Sequence, residues 1–273
     1  MTVTYDDVVK ARETQSKVIR KTTLEFSETF SNICGSKIYL KNEYEQKTGS
    51  FKIRGAYYKI KSLTDKEKSN GVVAASAGNH SQGVAFASHI ENIPCTIVMP
   101  KTASPAKVSA TKGYGANVVL EGSTYDESWA HAQKIASETN ATIIHAFDDS
   151  HVIAGQGVIG LEIIEQLPNV DEIYVPIGGG GLVAGIITAV KEKNPHVKII
   201  GVESSAYPAM KKSLENNTLE TVSGDTTIAD GISVKTPGKL TFDIVKEKID
   251  KIVTVDDSDI INAMFLLMER SKA

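Results

Sequence analysis

From Gly71 onward, short apolar runs alternate with longer stretches in which apolar residues recur every three to four positions. Residues 72–75, 94–99, 117–120 and 141–144 read as strands. Helices are predicted between them, through Val84, Ala85 and Ala87, from about Ser104 with Pro105 suited to its first turn, and over 124–137. The rhythm returns in the second half. A helix over 152–167 leads to a strand over 171–177, a helix over 182–193, a strand over 197–202 and a helix over 204–214. A polar stretch, 218–228, reads as a surface loop. It precedes a helix over 240–248, a strand over 252–255 and a final helix that Asp257 is expected to cap. Upstream, 6–11 begins a short amphipathic helix, 22–30 has no strong period, and 36–41 reads as a strand. After the turn Lys47-Thr48-Gly49-Ser50 comes a helix bearing Phe51, Ile53, Ala56, Tyr57 and Ile60, with Ser50 as its expected cap.

Strand and helix alternating through short connections imply an α/β fold of open, twisted parallel sheets with helices on both faces. Such sheets bind ligands beyond the carboxyl ends of their strands. Two turns fall at such ends, Ser76-Ala77-Gly78-Asn79-His80 and Gly178-Gly179-Gly180-Gly181. Gly155, Gly157 and Gly160 interrupt a helical pattern and are expected to permit close packing there.

The glycine run follows an apolar strand and opens a helix, so its amides can converge on an anion. Leu182 and Val183 stand where a nucleotide-binding loop would carry its lysine and hydroxyl, and the spacing is not the three-glycine dinucleotide pattern. The run therefore reads either as a loop for a phosphate other than a triphosphate's γ-group or as a tight structural turn.

Composition narrows the classes. The 273 residues are 41 % hydrophobic, enough for a sizeable core, and the formal net charge of −3 offers no attraction to nucleic acid or anionic membrane. Cys34 and Cys95 have no paired spacing and suit a reduced, cytoplasmic setting. The uncharged stretch 175–190 is too short to span a membrane and contains the four glycines. On composition alone, Lys52 reads as a surface lysine with its stem along the core.

The segments Lys47-Thr48-Gly49-Ser50-Phe51-Lys52-Ile53-Arg54-Gly55-Ala56, Ser76-Ala77-Gly78-Asn79-His80, Gly178-Gly179-Gly180-Gly181-Leu182 and Ala229-Asp230-Gly231 occur in that order. Together they resemble the pyridoxal-phosphate-dependent serine/threonine dehydratases, the tryptophan-synthase β-like group of fold type II, and are most similar to the catabolic threonine dehydratases. The resemblance overturns the surface reading of Lys52. It implies that Lys52 joins the aldehyde of pyridoxal 5'-phosphate and acts on the substrate α-proton, with Phe51 against the cofactor ring. It implies that Gly178, Gly179, Gly180, Gly181 and the Leu182 amide hold the phosphate, and that Asn79 meets the phenolic oxygen. Ser76, Ala77 and His80 with neighbouring amides would hold the substrate carboxylate, and Phe147 would face the threonine methyl. The implied reaction is β-elimination of L-threonine or L-serine to a 2-oxo acid and ammonia; a serine racemase or another fold type II enzyme is the alternative.

Ala77 stands where the racemases carry a proton-exchanging serine, and Ala209 where they carry a metal-binding carboxylate, so neither racemisation nor a metal site is expected. Glu203, the remaining side chain of that set, reads otherwise as a charge at a strand end. The resemblance implies a large lobe from 1–54 and 147–273 and a small lobe, 55–146, closing over the substrate. It also implies a homo-oligomer, and leaves open a nucleotide effector at a subunit interface. Family members continue beyond the helix at 260–271 with a residue beside the pyridine nitrogen, whereas this sequence stops at Lys272-Ala273. A shortened chain with reduced or no activity is therefore a further expectation.

Overall fold

The structure, a computed structural model, describes residues 2–271. Lys272 and Ala273, the last residues of the expected large lobe, lie outside them. Helix α1 (Tyr5–Gln15) opens on a Thr4–Asp7 capping box. Strand β1 (Leu24–Ser27) and helix α2 (Glu28–Cys34) occupy the stretch that showed no period. Strand β1 pairs antiparallel with β2 (Ile38–Lys41), outside the parallel pattern. Helices α3 (Lys52–Lys61) and α4 (Asp65–Asn70) follow, the latter opened by a Thr64–Glu67 capping box.

The alternation then unfolds as expected: β3 (Val72–Ala75), α5 (Asn79–Ile90), β4 (Cys95–Met99), α6 (Pro105–Gly113), β5 (Asn117–Leu120), α7 (Tyr125–Thr139) and β6 (Thr142–Ile143). These strands form a parallel sheet of order β5-β4-β3-β6. Beyond α8 (Ser150–Gln166) come β7 (Glu172–Pro176), α9 (Gly181–Lys193), β8 (Lys198–Ser204), α10 (Ala209–Glu215), α11 (Lys239–Lys248), β9 (Lys251–Val255) and α12 (Asp257–Leu266). A second parallel sheet runs β7-β8-β9.

Several local expectations need correction. Strand β8 runs on through Ser204, and α10 starts only after Pro208, because the ring denies the helix an amide at that point. Asp257 does not cap α12, whose N-cap is Asp256; its carboxylate accepts from Thr227 Oγ1 (2.6 Å) and the Ile228 amide (2.9 Å). Ser50 does not cap α3, and its buried Oγ has no hydrogen-bond partner. Strand β7 is not covered on both faces: Ile173 and Val175 are buried while Glu172, Tyr174 and Pro176 are exposed.

Glycines set the helix spacing. A Cβ on Gly155 would lie 2.7 Å from the Gly55 Cα, and one on Gly185 would lie 2.4 Å from the Ile153 carbonyl and 2.6 Å from the Gly157 amide. Helices α3, α8 and α9 therefore meet backbone to backbone, as the glycines of α8 suggested. Val152, Ile153, Leu161, Val183, Ile186 and Ile187 fill the core around these crossings.

Candidate active site

Lys52 is the first residue of α3, so its side chain leaves the helix where the chain enters from the Gly49 turn. Its Nζ donates to the Ala146 carbonyl at 2.9 Å and lies 5.4 Å from the Phe51 ring centroid. Burial pushes the ammonium down to about 8, since an apolar setting disfavours the charged form. A neutral amine is thus accessible near physiological pH, which nucleophilic use of a lysine requires.

The segment receiving Lys52 follows strand β6 and organises the site. His80, on α5, places Nε2 2.9 Å from the Ile144 carbonyl, and its buried Nδ1 has no partner among the described residues. Burial and the Lys52 charge bring this imidazole down to about 3, so it is neutral. His145 Nδ1 accepts the amides of Phe147 (3.3 Å) and Asp148 (2.8 Å), and its ring meets Trp129 and Phe147 edge to face. Neither His145 nor Asp148 was singled out in the sequence. The nearest signal was their position one strand-end away from a candidate loop.

Phe147 reaches the glycine turn. A Cβ on Gly179 would lie 2.4 Å from its ring, and one on Gly181 would lie 2.9 Å from its Cα. Gly180 has φ +93°, a conformation that disfavours side chains, and is the N-cap of α9. Among the described residues, the amides of Gly178, Gly179, Gly180, Gly181, Leu182 and Val183 donate to no backbone carbonyl. Six successive donors without a backbone acceptor at a helix start are chemically suited to an anion. The Ala229-Asp230-Gly231 turn lies alongside, with a Cβ on Gly178 coming 3.0 Å from the Ile232 Cα. Asp230 pairs with Lys107 of α6 at 2.9 Å.

A second set of free donors opens α5. The Ala77, Asn79, His80 and Ser81 amides reach no backbone carbonyl among the described residues, and the Gly78 amide donates to Ser76 Oγ at 3.2 Å. Asn79 is exposed, whereas Ser76 and Ala77 are half-buried. Glu203 is fully buried and accepts the amides of Met210 (2.8 Å) and Lys211 (2.9 Å), capping α10 from strand β8. Burial still pushes its carboxyl up to about 7. Among the described residues, no cluster of three or more His, Cys, Asp or Glu is arranged around a metal position.

A lysine with a depressed pKa and a glycine turn with unpaired amides suit a phosphorylated aldehyde. Residues 15–273 match the sequence model of the pyridoxal-phosphate-dependent enzymes. The chain belongs to this family. The L-threonine ammonia-lyase of Thermotoga maritima is 50 % identical over 270 residues, which are 99 % of this chain and 67 % of that protein. The catabolic L-threonine dehydratase of Staphylococcus aureus is 46 % identical over 99 % of this chain and 78 % of its own length. Maize serine racemase superposes with a TM-score of 0.97 at 34 % identity, covering 100 % of this chain and 83 % of that one. The fold is thus that of a pyridoxal-phosphate-dependent enzyme of fold type II, and no helix among the described residues is long and apolar enough to cross a membrane.

Proposed function

We propose that this pyridoxal-phosphate-dependent enzyme eliminates the β-hydroxyl of L-threonine and L-serine, yielding 2-oxobutanoate or pyruvate and ammonia. The observation that carries the reading is the buried Lys52 amine, its pKa lowered, together with the unpaired amides of the glycine turn, on a chain so similar to threonine ammonia-lyases.

Gly178, Gly179, Gly180, Gly181 and the Leu182 amide would hold the cofactor phosphate, Phe51 would support its ring and Asn79 would meet its phenolic oxygen. When bound, the cofactor supplies an electron sink for the charge left at the substrate Cα. Lys52 would provide the amine for the cofactor aldehyde and the general base for the substrate α-proton. The free amides at the start of α5, with Ser76, Ala77 and His80, receive the substrate carboxylate. Neutral His80 adds no charge of its own there, so the helix start carries the attraction. Ala77 has no hydroxyl to return a proton to the opposite face of Cα, which favours elimination over racemisation. Phe147 forms an apolar wall for the threonine methyl.

The same reading divides the chain into a large lobe from 1–54 and 147–273 and a small lobe from 55–146 that closes over the substrate. It places the enzyme in the cytoplasm as a homo-oligomer open to a nucleotide effector. The test is incubation of purified protein, supplied with pyridoxal phosphate, with L-threonine and L-serine while 2-oxo acid, ammonia and D-serine are measured together. Equal amounts of 2-oxo acid and ammonia, abolished in Lys52→Ala, are expected. D-serine without 2-oxo acid would overturn the reading.

A further inference from the structure

The Gly179 carbonyl, unlike the amides around it, is fully engaged. It accepts the Thr241 hydroxyl at 2.6 Å and the Gly238 amide at 3.2 Å. Both donors come from the entry of α11, which Asp148 fixes by accepting the amides of Lys239 (3.0 Å), Leu240 (2.9 Å) and Thr241 (3.2 Å). Thr241 is fully buried; among the described residues its hydroxyl has one other acceptor, the Gly238 carbonyl at 3.1 Å. The contact leaves no slack, because a Cβ on Gly180 would lie 2.9 Å from both Thr241 Cβ and Oγ1.

A trans peptide points its carbonyl and the following N–H in opposite directions. Holding the Gly179 carbonyl toward α11 therefore turns the Gly180 N–H to the other side of the turn. Glycine on both sides of that peptide offers little resistance to a flip, since neither residue has side-chain sterics to forbid the alternative backbone angles. A flipped peptide would present a carbonyl oxygen in place of an amide, repelling an anion where it should be bound.

Resting on the function proposed above, we infer that Thr241 is a positioning residue for the phosphate turn: its hydroxyl fixes the polarity of the Gly179–Gly180 peptide. It acts from behind the turn, through Gly179. No other side chain among the described residues donates to the Gly179 carbonyl.

The experiment is equilibrium titration of purified wild type, Thr241→Val, Thr241→Cys and Thr241→Ser with pyridoxal phosphate, and in parallel with pyridoxal, which lacks the phosphate. Circular dichroism and thermal midpoints check folding. Wild type should favour pyridoxal phosphate. Thr241→Val keeps the shape, loses the donor and should bind pyridoxal phosphate about ten-fold more weakly, the scale of one buried hydrogen bond. Its pyridoxal affinity should stay at the wild-type value. Thr241→Ser should lie within about three-fold of wild type, and Thr241→Cys, a poorer donor, between the two. If Thr241→Val does not fold, the order of the Ser and Cys variants decides. Undiminished phosphate preference in the donor-deficient variants, or equal loss for both ligands, overturns the inference. A wild type that binds pyridoxal as tightly as its phosphate ester removes the phosphate turn itself, and with it both the proposed site and the inference.

Discussion

Arg54 is fully buried two residues after Lys52, and its removal should cost more stability than most core truncations. Its guanidinium donates to Glu43 through Nε and Nη2 (both 2.8 Å) and to Glu162 through Nη1 (2.7 Å) and Nη2 (3.0 Å). Nη2 also reaches the Arg20 carbonyl at 3.2 Å, and Lys41 completes the group at 2.6 Å from Glu162. Two cations and two anions balance. Arg54→Met leaves the buried Glu162 and the part-buried Glu43 carboxylates facing one lysine, a loss of about 3–5 kcal/mol for an uncompensated buried charge. At roughly 2–4 °C per kcal/mol for a chain of this order of size, the midpoint should fall by about 6–20 °C. Urea denaturation and differential scanning calorimetry of the cofactor-free protein measure this directly. Arg54→Met combined with Glu162→Gln leaves Lys41 and Glu43 as one cation and one anion, and should recover part of the loss. Arg54→Met within about 1 kcal/mol of wild type, or no recovery in the double variant, would refute the claim that charge balance holds this crossing together.

The depressed Lys52 pKa has two readouts. Acylation of Lys52 in cofactor-free protein should reach half its limiting rate near pH 8, and a profile rising only toward the ordinary 10.5 would contradict the geometry. Between those values the unfolded chain binds more protons, so stability from this group rises with pH across that window; Lys52→Met should flatten the rise in a pH series of denaturation midpoints. Gly179→Ala places a Cβ 2.4 Å from the Phe147 ring and should destabilise the protein by about 1–3 kcal/mol while weakening cofactor binding; unchanged titrations would show that the turn yields freely. Phe147→Asn should lower kcat/KM for threonine relative to serine, and an unchanged ratio would exclude Phe147 as a methyl-contacting wall.

Periodicity was enough to locate β3 to β5 and α5 to α7, because the parallel strands carry short apolar runs and their covering helices repeat apolar residues every three to four positions. It failed at β1 and α2, where hydroxyls and charges are mixed among few buried residues, and at Ser50 and Asp257, whose residue types suit caps that their surroundings do not use. The glycine run was legible either as an anion loop or as a tight turn, and its unpaired amides are compatible with the first reading. Lys52 became conspicuous through its neighbours in sequence, not through its own pattern. Arg54, His145, Asp148 and Thr241 were illegible for a common reason. Each works through a backbone group or a partner many positions away, and no local spacing encodes that distance.

The two parts of the candidate site lie 126 positions apart in sequence, from Lys52 to Gly178, yet they share a frame of close helix crossings. Helix α3 carries Lys52 at its first residue and meets α8 through Gly55 and Gly155, where Arg54–Glu162 and Lys59–Asp149 (2.8 Å) add ion pairs. Helix α8 meets α9 through Gly157 and Gly185, and α9 begins at the glycine turn. A side chain larger than hydrogen at these crossings would force the axes apart, moving the Lys52 amine and the glycine-turn amides relative to each other. The segment carrying Ala146, Phe147 and Asp148 closes the circuit from the other side, touching Lys52, the glycine turn and the start of α11 in succession. Catalytic geometry of this kind depends on holding reacting groups within fractions of an ångström. On the proposed function, the small residues buried at these crossings are therefore as much a part of the site as the lysine they position.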